Sequence, residues 1–505
     1  MTAQVLPATG APRARAQTWD TIQWNHAKTH VKRLQIRIAK AYREGKTGKV
    51  KALQWLLTHS RSAKLLAVKR VTENRGGKTP GVDKVVWRTA NQKIKAVSAL
   101  KRHGYQPQPL RRIYIPKKQS GKLRPLFIPA MECRAQQALH LLALEPIETM
   151  ADKNAYGFRP HRSTADAIER CFTALSRRRS AQYILEGDIQ ACFDTISHSW
   201  LLKNIPMDKA ILAKWLTAGY IENKCLFPTS LGTPQGSLIS PSLLTITLSG
   251  LELALQAATA KNDKVHLCTY ADDFIITGAS SEVLTETIRP IVESFLAERG
   301  LALSPAKTRI THINEGFDFL GVNIRKYKGK LICKPAKGNL KAFLQNIRDT
   351  IKSNATAKTE NLIRLLNPKI RGWANYHSHI CAKQTFSKVN HTVFKALWRW
   401  AKRRHSNKGA GWIRRKYFRS EGHRHWVFSA TIKDKQGRKS HLELVEATQI
   451  PIKRHIKIKA EANPYHPAYS NYFEERLARR KESTKQRSRI SKKIWFPWWE
   501  SEHDE

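Results

Sequence analysis

Two aspartates stand side by side in Tyr270-Ala-Asp272-Asp273, between the runs Val265-His-Leu-Cys-Thr269 and Phe274-Ile-Ile-Thr277. Strand-favouring residues on both sides of a short polar step predict a hairpin with both carboxylates at its tip. Adjacent anions repel, and a hard cation such as Mg²⁺, which prefers carboxylate oxygens and keeps positions open for phosphates, relieves that repulsion. An acidic β-turn without further purpose has the same composition, because Asp favours turns. The metal reading needs a partner acid, and Asp188 supplies one. It closes the strand-like Tyr183-Ile-Leu-Glu-Gly, and Ile189-Gln-Ala-Cys-Phe193-Asp194 leads from it toward a helix beginning near Ser197. If Asp188 and Asp272 share two ions about 4 Å apart, one activates an attacking hydroxyl and the other stabilises a departing pyrophosphate, which is in-line nucleotidyl transfer.

The elements that must hold these acids follow from periodicity. From Trp24 to about Leu57 apolar residues recur at helical spacing among Lys and Arg, a basic helical entry after a leader of 17 residues without acids. Residues 61 to about 330 mix strand-like runs (Ile113 to Ile115, Tyr183 to Ile189, Phe317 to Ile324) with helical segments such as 282–299, closed by Gly300, an α+β region. Beyond 340 the pattern is helical. Phe386, Val389, Val393, Phe394, Leu397 and Trp400 form an apolar stripe, and Lys388, Lys395, Arg399 and Lys402 line another face, so one side packs and the other can meet phosphates.

Charge narrows the partner. The chain has 505 residues, with 90 Lys and Arg against 39 Asp and Glu, a net +51 and a pI near 10.3. Such an excess implies a polyanion. A membrane surface would attract it too, but no apolar run approaches the roughly 20 residues of a spanning helix, which favours nucleic acid. Residues 331–505 hold 39 basic and 14 acidic residues, and the stretch 474–494, basic with few apolar residues, is expected to be flexible until bound. The seven cysteines form no Cys-x-x-Cys pair, which suggests neither disulfides nor zinc and fits a reducing compartment.

Further blocks share an order with Asp188 and the Tyr-Ala-Asp-Asp step: Lys78-Thr-Pro-Gly-Val-Asp83, Arg112-Ile-Tyr-Ile-Pro-Lys117 through Gly121-Lys-Leu-Arg124-Pro-Leu, Tyr156-Gly-Phe-Arg159-Pro, Gly232-Thr-Pro-Gln-Gly236, Pro305-Ala-Lys307-Thr and Phe317-Asp-Phe-Leu-Gly321. Together they resemble the group II intron reverse transcriptase/maturases. The likeness continues through Arg371-Gly-Trp-Ala-Asn-Tyr376 and Lys395-Ala-Leu-Trp-Arg-Trp400, similar to that family's thumb.

The resemblance implies an α+β right-hand polymerase of fingers and palm, then an all-α basic thumb or maturase domain and a basic C-terminal DNA-binding region. The corresponding segments are 1–60 (leader and basic helical extension), 61–335 (fingers and palm), 336–420 (thumb) and 421–505. It implies Asp188, Asp272 and Asp273 as catalytic acids on two Mg²⁺ ions, the first two the more direct ligands, with the backbone carbonyl of Ile189. Lys117, Arg124, Gln235, Gly236 and Lys307 would serve the nucleotide, and Phe193 would be the bulky gate under its sugar. The bland alternatives are exposed hairpin cations, an ordinary turn, a surface lysine and a core Phe. Lys388, Lys395, Arg399, Lys402 and Arg403 would meet RNA.

Ser237 departs from the family, many of whose members carry a second glycine there. No cysteine follows Cys381, so the paired cysteines of a His-Asn-His endonuclease are not expected, and His423, His425 and His466 read as solvated or RNA-contacting.

The expected activity is RNA-directed DNA synthesis by a protein that binds its parent intron RNA, assists splicing and copies the intron during retrohoming. Expected partners are that RNA, target DNA, a primer-template duplex and dNTPs, with no membrane. The expected compartment is the bacterial cytoplasm, at the nucleoid during retrohoming, or else an organelle. A domesticated reverse transcriptase in defence or CRISPR spacer acquisition, a splicing-only maturase and an RNA-templated RNA polymerase are the alternatives.

Overall fold

Val31, Leu34 and Ile38 fall on one side of the helix Trp24–Arg43, and Val50, Leu53 and Leu57 on one side of Thr47–His59; all six are buried. The basic entry is therefore two helices, broken at Gly45, whose φ of 68° ends the first. In the computed structural model, residues 18–116, 123–421, 424–433, 437–479 and 482 are described. The chain divides into two units, one of residues up to 150 with 191–247, the other of 151–190 with 248 onward.

The first unit packs those helices with Arg61–Thr72, Ala90–Ala99 and the long Met131–Glu148 around Ile38, Leu57, Val68 and Met131. Ser60 caps the third helix by accepting from the Ala63 amide, and Thr89 with Gln92 closes a capping box on the fourth. Its sheet runs Leu123–Ile128, Leu110–Pro116, Tyr220–Glu222, Cys225–Phe227, with Ile115 opposite Arg124.

The second unit holds the antiparallel sheet His266–Tyr270, Asp273–Gly278, Tyr183–Asp188, Arg309–His312. The helix Thr164–Leu175 packs on it through Ile168, Cys171 and Leu175. The segment expected as helix 282–299 opens with a wide π-turn over Val283–Ile288 before Arg289–Ala297. The run Phe317 to Ile324 is two strands, not one: Leu320 and Gly321 take φ of 50° and 74° and turn Phe317–Phe319 back onto Val322–Tyr327.

Four helices follow, Lys337–Ser353, Thr359–Tyr376, Lys383–Arg404 and Ala410–Tyr417. Their apolar faces continue the core of the sheet through Ile347, Leu366, Phe386 and Leu397. After them comes a three-stranded sheet, Phe418–Glu421, Arg424–Lys433 and Lys439–Glu443, which periodicity did not reveal. Among the described residues no helix is long and apolar enough to cross a membrane.

Candidate active site

The two acid-bearing strands lie side by side. Asp188 ends one and is directly opposite Asp273, the first residue of the other, while Tyr270 pairs with Asp273 across a two-residue turn of Ala271 and Asp272. Three carboxylates thus share one end of the sheet, and opposed residues of an antiparallel pair have Cβ atoms only about 4.5–5.5 Å apart. The register sets Asp273 directly against Asp188, with Asp272 beside it in the turn. Ala271 adopts φ 58°, a left-handed position glycine would fill without strain, so the turn holds its acids in a conformation that costs energy.

The electrostatics match that crowding. The Asp273 carboxyl is pushed up to about 6, by loss of hydration and then by the charges of Asp272 and Asp188, with Lys307 opposing. Its side chain still reaches solvent, so the neighbouring charges are the cause the geometry supports. Lys307 places Nζ 2.8 Å from Asp188 Oδ2, and its own pKa is raised by that bond. It gets there because the chain 302–304 runs beside the end of the Asp188 strand. Ser304 donates its amide to the Asp188 carbonyl at 2.8 Å, and Gln190 donates to Ala302 at 2.9 Å. Ile189 bridges to Leu303 between those bonds, so its own carbonyl points away from Leu303, toward the edge where the Asp273 strand pairs.

The Tyr156-Gly-Phe-Arg159 block backs the hairpin. The Tyr156 amide donates to the Thr269 carbonyl at 2.9 Å, and the Thr269 amide donates to that of Asn154. A Cβ on Gly157 would lie 2.2 Å from the Ala271 nitrogen, so only glycine lets this backbone touch the acid turn. Oxygen donors suit a hard divalent ion, and mutual repulsion of three acids is what such an ion relieves. Among the described residues, no group of three or more His, Cys, Asp and Glu forms a ready-made metal cage.

In the first unit, the structure joins three of the expected nucleotide-binding segments. The Gln235 carbonyl accepts from the Phe127 amide at 2.7 Å, on the strand that carries the exposed Arg124. Gly236, at φ 105°, passes so close to Leu126 and Phe127 that a Cβ would meet them at 2.7 Å. At the start of the same turn, Thr233 donates to the Phe193 carbonyl at 2.6 Å. Ser237 has a reason of its own: its hydroxyl donates to Gln137 Oε1 at 2.9 Å, pinning the turn to Met131–Glu148. Lys117 lies outside the described residues, as do the leader and His423.

On Lys383–Arg404, Phe386, Val389, Val393, Leu397 and Trp400 are buried and Phe394 partly so, whereas Lys388, Lys395, Arg399, Lys402 and Arg403 are exposed. Trp373 of the Arg371-Gly-Trp block stacks on Phe343 at 4.7 Å, and the Tyr376 hydroxyl donates to the Leu320 carbonyl. His425 is exposed, and His466 Nδ1 accepts from the Ala468 amide.

One reading is corrected. Residues 470–479 form a helix, so the described start of the 474–494 stretch is structured, because Phe473 is buried and Arg476 pairs with the buried Asp166. Asp166 also accepts from His455 Nε2 at 2.8 Å, from the Ile458 amide at 2.7 Å and from Ser163. Ser163-Thr-Ala-Asp166 is legible as a capping box; its partners almost 300 positions on are not.

A family model described as reverse transcriptase (RNA-dependent DNA polymerase) matches residues 115–324, one for the N-terminal domain of reverse transcriptase matches 19–100, and one for the group II intron maturase-specific domain matches 340–418. Protein YkfC of Escherichia coli is 35% identical over 301 residues, 50% of this chain and 77% of that protein. Group II intron-encoded protein LtrA of Lactococcus lactis is 28% identical over 431 residues, 65% of this chain and 70% of its own. A solved telomerase from Candida albicans, with a fragment of telomeric RNA, aligns at a TM-score of 0.37 and 11% identity over 61% of this chain and 64% of that one, too distant to build on. The chain belongs to the group II intron reverse transcriptase/maturase family, RNA-directed DNA polymerases that also assist intron splicing.

Proposed function

We propose that this chain copies its parent group II intron RNA into DNA at the carboxylates of Asp188, Asp272 and Asp273. The observation that carries the reading is the convergence of three acids on one end of two paired strands, with Lys307 as the cation beside them. Reverse transcriptases use divalent ions, and here the three carboxylates and the Ile189 carbonyl would hold two Mg²⁺. Bound there, the ions supply the charge that activates a primer 3′-hydroxyl and neutralises the pyrophosphate. Lys307, a protonated amine already directed into the acid cluster, shields or protonates the leaving group. Arg124 and Lys117 hold the triphosphate, Gln235 and Gly236 carry nucleotide and template, and Phe193 excludes a 2′-hydroxyl.

The exposed cations of Lys383–Arg404 fit the maturase side of the activity, contact with intron RNA, within a thumb spanning 336–420. The region from 421 on contacts target DNA in retrohoming. All three acids are present, which disfavours the splicing-only alternative. Asp272→Ala is expected to abolish primer extension on an RNA template while intron RNA still binds. cDNA yield at the unsubstituted level would overturn the assignment.

A further inference from the structure

Within the first unit a cavity of about 380 Å³ opens beside Thr47–His59 and Met131–Glu148, a size in the range of roughly 300–1,000 Å³ typical of small-ligand sites. Leu100, Leu139, Ala143 and Met207 line it with apolar surface, and Lys51, Lys64, Lys101, Arg102 and Lys209 surround it. The one carboxylate among these lining residues, Asp208, is already engaged, accepting from Arg102 and from the Ala210 and Ile211 amides. Gln54 donates to the Ala143 and Pro206 carbonyls and Gln136 to that of Lys101, so the amide side chains are committed as well.

Lys209 Nζ donates to the Lys203 and Ile205 carbonyls, which leaves Lys51, Lys64 and Lys101 as the other ammonium groups around the cavity. Partial burial, and then Lys101, depress the pKa of Lys64; partial burial, and then Lys51, depress that of Lys209. Cations that depress one another's pKa are stabilised by an anion. Trp55 lines the same cavity with 55% of its surface exposed. It is steadied by His59, stacked at 4.2 Å and 22°.

An anion alone has no use for the apolar lining, and an apolar ligand has none for the lysines. We propose that this cavity binds a single nucleotide, its base against Trp55 and the apolar wall and its phosphate met by Lys51, Lys64 and Lys101. None of these residues belongs to the proposed polymerase machinery, so this site stands or falls apart from it. The nucleotide comes either free from solution or as one unstacked residue of bound RNA.

The full chain, titrated calorimetrically with 5′-AMP, adenosine, inorganic phosphate and a single-stranded oligoadenylate, decides the matter. Trp55→Ala and the double variant Lys64→Gln/Lys101→Gln alter exposed or half-exposed side chains, and thermal unfolding checks that each folds. The expected result is that 5′-AMP binds more tightly than adenosine or phosphate and loses about ten-fold in each variant, a loss that for Trp55→Ala lies within what base–aromatic stacking contributes. That loss seen for the oligonucleotide alone assigns the site to RNA. Variants that bind both 5′-AMP and oligonucleotide as the unsubstituted chain does overturn the proposal, as does phosphate binding as tightly as 5′-AMP.

Discussion

Asp166→Asn removes one charge from the node that ties the segment 455–476 to the cap of Thr164–Leu175. Asp166 is fully buried and its two oxygens receive Ser163 twice, His455, Ile458 and Arg476. Burial alone would raise its pKa; the bonds from His455 and Ser163, the His455 charge and the Ile458 amide reverse this and hold it at about 2. Against an ordinary value of 3.8, that gap of nearly two units corresponds to about 2–3 kcal/mol of folding stability. Because the folded value is depressed, this stability is complete above about pH 4 and is lost as the pH falls toward 2. Asn sets an N–H donor against the Ser163 donors and leaves Arg476 without its counter-charge. Removing one member of a buried pair costs about 3–5 kcal/mol, and since the Arg476 and His455 side chains keep 23% and 22% exposure, the lower end, about 3 kcal/mol, is expected. Denaturant unfolding at neutral pH measures it, and hydrogen exchange at the Ile458 amide localises it. The variant should also lack the stability loss between pH 4 and 2 that this carboxylate gives the unsubstituted chain. A destabilisation under 1 kcal/mol with unchanged exchange would refute the network.

Gly157→Ala must push back the Ala271 backbone, 2.2 Å from the new Cβ. Primer extension should fall ten-fold or more while stability drops by about 1–3 kcal/mol; full activity would show that the acid turn does not need this contact. Phe193→Ala should raise incorporation of NTPs relative to dNTPs in a competition assay, and an unchanged ratio would remove the gate. If Lys388, Lys395, Arg399, Lys402 and Arg403 each neutralise one phosphate of single-stranded RNA, Lys395→Gln/Arg399→Gln lowers the slope of log affinity against log salt by roughly 1.4. A slope that does not move would place the RNA elsewhere.

The hairpin was legible because everything that makes it is local: alternating strand residues and a two-residue step. The stripe from Phe386 to Trp400 was legible for the same reason, helical period being a property of one segment. Register was not, because it is decided between segments. Asp188 faces Asp273 only because Tyr183 pairs with Gly278 at the far end of the same ladder. The strands after Tyr417 escaped notice because burial there breaks alternation, with Val427 and Phe428 both inside, and because abundant charge made the region read as uncommitted. Arg476 shows the limit of composition most clearly. Counted among basic residues it suggests a flexible tail, yet Asp166, some 310 positions earlier, turns that charge into an anchor.

That contrast bears on the acids themselves. Asp166 gathers donors and is stabilised in its charged form, whereas Asp273 faces two like charges and is destabilised in its charged form. Two buried aspartates with satisfied donors would serve folding equally well, so a cluster that raises its own carboxylate pKa gains nothing structural from its third acid. What such a cluster can gain is a cation, and Lys307 offers only one positive charge against three carboxylates. The remaining negative charge sits on a strained two-residue turn, held there by Gly157 and the Tyr156 amide. Strain and repulsion concentrated at one hairpin tip are what divalent ions, bound at the proposed ligands, would offset.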